Sequence, residues 1–239
     1  MNESTSSLKK GPKLKVCGMK FQENILEIAS LKPDYLGFIF YEKSPRNFEN
    51  EIPEIVSEIK KTGVFVNATA NFILEKASRY NLQAIQLHGE ETPQFCSELR
   101  EELKNLKETP EVEIIKVFSV NEEFDFDEIF PYEDKVDYFL FDTKGKNKGG
   151  NGIAFNWDIL KQYPSKKPFF LSGGIGIEEL ESIKSLLAEF HKKGKQHLLY
   201  ALDVNSKFEI EPGLKKMEDL SKFQEKLKFL SSNLLDSGG

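Results

Sequence analysis

The chain has 239 residues, of which 39% are hydrophobic and 12% aromatic, so it can bury the core of one large α/β domain or two small ones. Its formal net charge of −6 argues against a nucleic-acid-binding protein, which normally carries a basic surplus on one face. Two cysteines and three histidines disfavour a disulfide scaffold and a zinc site. Because it shows neither a secretory leader nor an apolar run of about 18 residues, we predict a cytoplasmic protein without membrane contact.

Eight short apolar runs, rich in β-branched and aromatic residues, are typical of strands buried on both faces. They are Leu14–Cys17, Tyr35–Phe40, Gly63–Val66, Ala84–His88, Ile114–Phe118, Tyr138–Asp142, Pro168–Ser172 and Leu198–Val204. Apolar residues at helical spacing follow most of them, including a stretch from Ile52 to Ile59. The acidic gap around Asn121–Asp134 contains Pro131 and predicts only a short or irregular helix.

This alternation predicts an α/β fold, a single (β/α)8 TIM barrel, over residues 13–232. The open doubly wound sheet is the rival, but it seldom has eight strands so evenly spaced. We expect a disordered polar extension at 1–12 and a flexible tail at 233–239. The even spread of charge favours a monomer.

Two predicted strands end on a reactive side chain, the first on Cys17 and the sixth on Asp142. All strands of a barrel point to one mouth, so these side chains can meet although they are far apart in sequence. A thiol and a carboxyl at one mouth suggest a base and an acid acting on one small substrate. Cys96 lies in a predicted outer helix, and a disulfide between it and Cys17 is therefore not expected.

Other predicted strand ends carry residues suited to binding. Gly173 and Gly174 follow the seventh strand, where they suit either a phosphate-binding turn or a tight turn that needs positive φ. Arg46 follows the second strand and is either a clamp for a carboxylate or an exposed solubilising residue. The Gly149–Gly152 loop after the sixth strand is either a lid or a surface loop.

Two strand-end residues have several possible partners. His88 ends the fourth strand and is either a buried core residue or a contact to substrate. Asp203 ends the eighth strand, where a carboxylate needs a partner: a substrate hydroxyl, a lysine or a backbone group.

Taken in order, the segments at the predicted strand ends closely resemble phosphoribosylanthranilate isomerase, the (β/α)8 enzyme of tryptophan biosynthesis. The matching segments are Lys15–Met19, Gly37–Arg46, Gly63–Asn67, Ile85–Glu91, Phe141–Thr143, Gly149–Gly152 through Phe155–Trp157, Phe169–Gly174, and Leu202–Val204 through Glu209 to Pro212–Gly213. No single one is decisive, but together in the right order they are highly specific.

The resemblance implies an Amadori rearrangement of N-(5-phosphoribosyl)anthranilate to 1-(2-carboxyphenylamino)-1-deoxyribulose 5-phosphate, with no cofactor and no metal. It implies that Asp142 is the general acid and Cys17 the general base, and that Arg46 pairs with the anthranilate carboxylate. His88 and Asp203 correspond to pocket residues of the family, and Gly173 and Gly174 to its phosphate-binding turn.

One departure concerns the phosphate site. After Asp203-Val204 the family usually has Ser-Ser-Gly, whereas this chain has Asn205, Ser206 and Lys207. We expect Asn205 and Ser206 to contribute to phosphate binding. Lys207 is costly if its backbone needs positive φ, but its ammonium is suited to a phosphate.

Two alternatives remain open. The histidine-pathway isomerase runs the same rearrangement on another aminoaldose, but it has an aspartate at the position of Cys17 and two phosphate sites. A non-catalytic barrel that binds a phosphorylated metabolite or a partner protein is supported only by the change at Asn205–Lys207.

Overall fold

The computed structural model describes residues 11–105, 111–143 and 157–236. Eight parallel strands form a closed barrel in chain order, and β8 pairs with β1 to complete it. They are β1 (Lys13–Val16), β2 (Tyr35–Ile39), β3 (Lys60–Phe65), β4 (Ala84–Leu87), β5 (Glu113–Val120), β6 (Tyr138–Thr143), β7 (Phe169–Ser172) and β8 (Leu199–Val204). The predicted (β/α)8 barrel is confirmed.

Helices on the outside of the barrel connect most of the strands. They are α1 (Gln22–Ser30), α2 (Ala70–Tyr80), α3 (Pro93–Lys104), α4 (Leu180–Lys192) and α5 (Met217–Asp236). A 3-10 helix over Phe126–Tyr132 takes the place of a helix after β5, as the acidic gap with Pro131 predicts. A second 3-10 helix, Trp157–Gln162, precedes β7. The Gly149–Gly152 loop lies outside the described residues, and α5 ends inside the segment that we expected to be a flexible tail.

The helix predicted over Ile52–Ile59 is wrong. Residues 51–59 form no helix, although Ile59 is buried and Ile52 and Ile55 pack against the core. β3 begins at Lys60, three residues before the predicted start, and leaves a segment too short to nucleate a helix readily. Pro53 also removes a backbone donor from that segment. The apolar spacing thus identifies the buried residues but not the backbone conformation.

Alternation along the strands divides the core into two layers. Residues that face outward pack against the helices in a large apolar cluster. Residues that face the barrel axis form a second cluster, namely Tyr35, Ala84, Ile115, Val117, Leu140, Phe170 and Ala201. The barrel is therefore filled and has no pore along this part of its axis.

The amino-terminal ends of the strands are closed by a floor of tyrosine, lysine and glutamate side chains. Tyr35 donates to Glu113 Oε2 over 3.0 Å and lies 3.1 Å from the hydroxyl of Tyr200. Lys13 donates to the same Tyr200 hydroxyl over 2.7 Å. The rings of Tyr138 and Tyr200 stack with centroids 4.3 Å apart. The functional residues must therefore work from the opposite, carboxyl end.

A short hairpin follows β8. It consists of β9 (Glu209–Glu211) and β10 (Leu214–Lys215), which pair antiparallel. The buried amide of Asn24 on α1 holds β10 through two hydrogen bonds to the backbone of Lys215, of 2.7 and 2.9 Å. The hairpin is thereby fixed beside the mouth of the barrel.

Candidate active site

A pocket of about 170 Å3 lies at the carboxyl ends of the strands. It brings together most of the residues that the sequence predicts: Cys17, His88, Asp142, Gly173, Gly174, Asp203, Asn205 and Ser206. Ile39, Val64 and Ile175 supply apolar wall, and Lys207 lies at the rim beside Ser206. Residues from seven strands and the loops that follow them thus converge on one small volume.

Cys17 directly follows β1 and is held at the pocket by its backbone, whose N–H donates to Val204 O over 2.9 Å. A Cβ at Gly37 would lie only 2.8 Å from Cys17 Sγ, so the glycine makes room for the sulfur. Burial raises the pKa of the Cys17 thiol, while Lys15 and Lys215 oppose that rise. Cys17 and Cys96 are both free, as expected.

Lys15 and Asp203 form a buried ion pair beneath Cys17. Lys15 Nζ lies 2.9 Å from both carboxylate oxygens, and the two side chains are 0% and 5% exposed. Burial lowers the pKa of Lys15, but Asp203 and Cys17 outweigh it and raise the pKa overall. Burial raises the pKa of Asp203, with Lys15 opposing. The two charge-assisted hydrogen bonds between them favour the ionised form of the pair.

Asp142 and His88 face each other across the pocket, with His88 Nε2 at 3.5 Å from Asp142 Oδ2. Gln86, two residues before His88 on the same face of β4, lies 3.3 Å from His88 Nδ1 through its side-chain nitrogen. Phe139 and Phe141 belong to the outer apolar layer, because alternate residues of β6 point to opposite faces. These two rings therefore lie on the opposite face of β6 from the Asp142 carboxyl group.

Arg46 does not line the pocket itself but lies at its edge. Its Cδ is 2.8 Å from where a Cβ of Gly18 would be, next to Cys17. Its Nε donates to both carboxylate oxygens of Glu209, over 2.8 and 3.1 Å. Lys215 Nζ donates to Glu209 Oε1 over 2.7 Å and to Asn205 Oδ1 over 2.6 Å.

Glu209 is therefore shared by two cations. Burial favours its neutral form, but hydrogen bonds from Arg46 and Lys215 outweigh burial and lower the pKa of Glu209 to about 2. The carboxylate fixes the guanidinium of Arg46 in the plane that a bidentate contact requires. Arg46 is a positioned residue and not an exposed solubilising one, since its side chain is 21% exposed.

The turn after β7 contains two glycines in the left-handed region, Gly173 with φ 96° and Gly174 with φ 68°. Open space surrounds the position of a Cβ at Gly174, so backbone conformation rather than crowding requires glycine there. The 3-10 turn Ser206–Phe208 faces them across the pocket. Lys207 has no positive φ, so the cost considered for a non-glycine residue there does not arise. Its ammonium lies 3.9 Å from Glu179 Oε1.

Sequence reasoning missed Lys15, Glu209 and Lys215. Period-two alternation would have revealed Lys15, because it lies two residues before Cys17 on the same strand and therefore on the same face. No local signal joins Arg46 to Glu209, which follow different strands and are 163 positions apart.

A closed (β/α)8 barrel whose catalytic-type side chains gather at the carboxyl ends of its strands is the architecture of a barrel enzyme, and the pocket is its candidate active site. Among the described residues, no helix combines the length and the apolar character that a membrane span needs.

Comparison with known proteins identifies the family. Residues 14–226 match the family model of N-(5'-phosphoribosyl)anthranilate isomerase. The enzyme of that name from Parabacteroides distasonis is 42% identical over 221 residues, which are 90% of this chain and 92% of that one. The chain belongs to the phosphoribosylanthranilate isomerase family, whose reaction interconverts an aldose and a ketose in tryptophan biosynthesis.

Solved structures of this family are similar to the structure of this chain. A crystal structure of a phosphoribosylanthranilate isomerase with reduced 1-(o-carboxyphenylamino)-1-deoxyribulose 5-phosphate has a TM-score of 0.70 at 27% identity, covering 91% of this chain and 99% of that one. A structure of mutually generated monomers of the dimeric enzyme from Thermotoga maritima has a TM-score of 0.68 at 26% identity, covering 91% of this chain and 98% of that one.

Proposed function

We propose that this chain converts N-(5'-phosphoribosyl)anthranilate to 1-(2-carboxyphenylamino)-1-deoxyribulose 5-phosphate with Asp142 as general acid and Cys17 as general base. The observation that carries the proposal is that both side chains line one pocket of about 170 Å3, although 125 positions separate them in the sequence. We expect a single sugar ring in that pocket to reach both groups.

Asp142 starts the reaction. Its carboxyl group gives a proton to the ribose ring oxygen, the bond from that oxygen to C1 breaks, and the amine nitrogen supplies the electrons that form a protonated Schiff base. His88 Nε2 lies 3.5 Å from Asp142 Oδ2, so it is placed to contact the acid or the sugar ring.

Cys17 completes the rearrangement. Its thiolate removes the proton from C2, and the electron pair of that C–H bond moves toward the iminium to give an enolamine. Tautomerisation of the enolamine gives the ketone. Atoms are conserved between the aminoaldose and the aminoketose, so the reaction consumes no co-reactant.

The remaining predicted residues bind the two anionic ends of the substrate. Arg46, held by Glu209, receives the anthranilate carboxylate, while Gly173, Gly174, Asn205 and Ser206 surround the phosphate with backbone N–H groups. His88 and Asp203 line the same pocket, and we assign them contacts to the sugar. The reduced product bound to the relative carries the same carboxyphenyl and phosphate groups.

The test is a fluorescence assay. Phosphoribosylanthranilate is made in situ from anthranilate and phosphoribosyl pyrophosphate with the pathway transferase, and the decay of its fluorescence is followed. We expect rapid decay with the wild type and with Cys96→Ala, the matched control for the other buried thiol. Cys17→Ala and Asp142→Asn should lose about 100-fold or more. Full turnover in either variant contradicts its assigned role, and no decay above the spontaneous rate with folded wild type contradicts the substrate.

We further propose a cytoplasmic monomer, on the grounds of two free thiols and the even spread of charge. The Thermotoga maritima relative is dimeric, so a monomer here is a difference in oligomeric state within the family. Sedimentation equilibrium decides between a mass of 27.4 kDa and twice that mass.

A further inference from the structure

A buried array of charges surrounds Cys17, and the proposed mechanism leaves most of it without a role. Lys15 and Lys215 are 0% and 1% exposed and Asp203 is 5% exposed, values that are rare for charged side chains. Such groups are costly to bury and are usually found where a specific charge has to be stabilised.

The charged side chains near the sulfur come from several elements of the barrel mouth. Lys15 is on β1, Asp203 on β8 and Lys215 on β10, and the Arg46–Glu209 pair joins the loop after β2 to β9. Three cations and two anions give this array a charge of +1. Loss of the Cys17 proton brings the sum to zero, so the thiolate is the state in which the buried charges balance. His88 and Asp142 lie next to each other across the pocket, with Nε2 and Oδ2 3.5 Å apart.

Lys15 is the cation best placed to act on the sulfur. It lies two residues before Cys17, on the same face of the chain, and its positive charge opposes the rise in the pKa of the Cys17 thiol. Its ammonium has three donors, of which Asp203 takes two at 2.9 Å. Asp203 thereby holds the ammonium in place at the base of the pocket.

We infer that Lys15 is a positioning residue that stabilises the thiolate of Cys17 as its counter-ion, and that Asp203 serves chiefly to hold Lys15 there. The inference rests on the proposed role of Cys17. The thiol releases its proton to solvent, the Lys15 ammonium hydrogen-bonds the resulting thiolate, and the thiolate then takes the proton from C2. Burial raises the pKa of the Cys17 thiol and so disfavours this ionisation, whereas the charge of Lys15 acts to lower that pKa.

The experiment measures thiolate formation without using turnover. In a Cys96→Ala background, Cys17 is the only thiol, and its rate of alkylation by iodoacetamide as a function of pH gives the titration midpoint. Lys15→Met should raise the midpoint by about 1 to 3 pH units and so slow alkylation at a fixed pH below it. Asp203→Asn should lower the midpoint, because a carboxylate is removed while the ammonium stays.

Lys15→Met leaves a buried carboxylate without its partner and risks unfolding. The double variant Lys15→Met/Asp203→Asn removes both charges and should fold while its midpoint still lies above that of the background. The pH profile of kcat should shift in the same directions. A midpoint that is unchanged or lowered in the folded double variant overturns the inference, since a merely structural pair would alter only stability.

The alkylation experiment distinguishes a failure of this inference from a failure of the proposed function. If Cys17→Ala retains full turnover but alkylation follows Lys15 as expected, then the counter-ion is real and the base assignment is wrong. If Cys17→Ala is inactive but replacement of Lys15 does not change the titration midpoint of Cys17, then the base assignment stands and the inference fails.

Discussion

Lys116 and Glu91 form an ion pair on the outer face of the barrel, directly behind His88, with Nζ and Oε2 2.9 Å apart and side chains 3% and 2% exposed. Lys116 also donates to Gly89 O over 2.6 Å, and Glu91 accepts from the backbone N–H of Asn67 over 2.9 Å and of Gly89 over 3.0 Å. The pair thus fixes the chain next to a pocket residue.

Breaking this pair from one side should be costly. Lys116→Met leaves a buried carboxylate uncompensated and is expected to lower the free energy of unfolding by about 3–5 kcal/mol. Lys116→Met/Glu91→Gln removes both charges, while the Gln oxygen still accepts from the two N–H groups, so it should recover most of that loss. Urea unfolding of the single and double variants measures both effects. Additive losses would show that the two residues do not act as a pair.

Arg46 should contribute more to binding than to chemistry. Arg46→Lys loses the bidentate fork toward both Glu209 and a substrate carboxylate, and we expect KM to rise about 10- to 100-fold. The change in kcat should be smaller, because the carboxylate is remote from C1 and C2. Steady-state kinetics measures the split, with Arg79→Lys, an exposed arginine paired with Glu51, as the control. A pure kcat effect would contradict the binding role.

Glu209 should make stability depend on pH. Its pKa is lowered to about 2 in the folded protein, whereas an unfolded glutamate titrates near 4.3, so its contribution is fully present above that value. The contribution disappears as pH falls toward 2. Glu209→Gln should therefore lower the free energy of unfolding at pH 7, by about 3 kcal/mol, and approach the wild type as the pH falls toward 2.

Denaturant unfolding from pH 7 down to 2.5 tests this expectation. The matched control is Glu211→Gln on the same hairpin, whose side chain is exposed. A stability difference for Glu209→Gln that stays constant across the range would contradict the linkage.

Lys207 should cause no more backbone strain than a glycine at the same position. Its φ is not positive, so Lys207→Gly relieves no strain and should instead destabilise the 3-10 turn by about 0.5–1 kcal/mol relative to Lys207→Ala. Thermal unfolding of the two variants measures the difference. A more stable glycine variant would indicate backbone strain at this position.

The barrel was predictable because buried parallel strands leave continuous apolar runs that no other segment of this chain imitates. The strand-end residues followed from the fold, since Cys17, Asp142 and Gly173 each sit where a run stops. The helix predicted over Ile52–Ile59 is wrong for a different reason. Apolar spacing indicates which residues are buried and not how the backbone is folded. This segment contains Pro53 and is cut short by the start of β3, so it buries the same residues without a helix.

The charged partners were harder to predict. Asp203 clearly needed a partner, but its choice of Lys15 depends on the registry of β1 against β8, in which Lys15 lies directly opposite Asp203. Arg46 and Glu209 meet only because a two-stranded hairpin folds back beside the mouth. Pairings of this kind are set by packing, and no pattern within one segment encodes them.

The floor of tyrosine, lysine and glutamate side chains determines where substrate enters and product leaves this enzyme. A barrel sealed at its amino-terminal end is a blind chamber, so the aminoketose must leave by the mouth that the next aminoaldose enters. Occupancy is then mutually exclusive, and product inhibition should be competitive at every product concentration. Handover to a following enzyme along the barrel axis is ruled out as well, which leaves free diffusion or docking at the mouth as the routes onward.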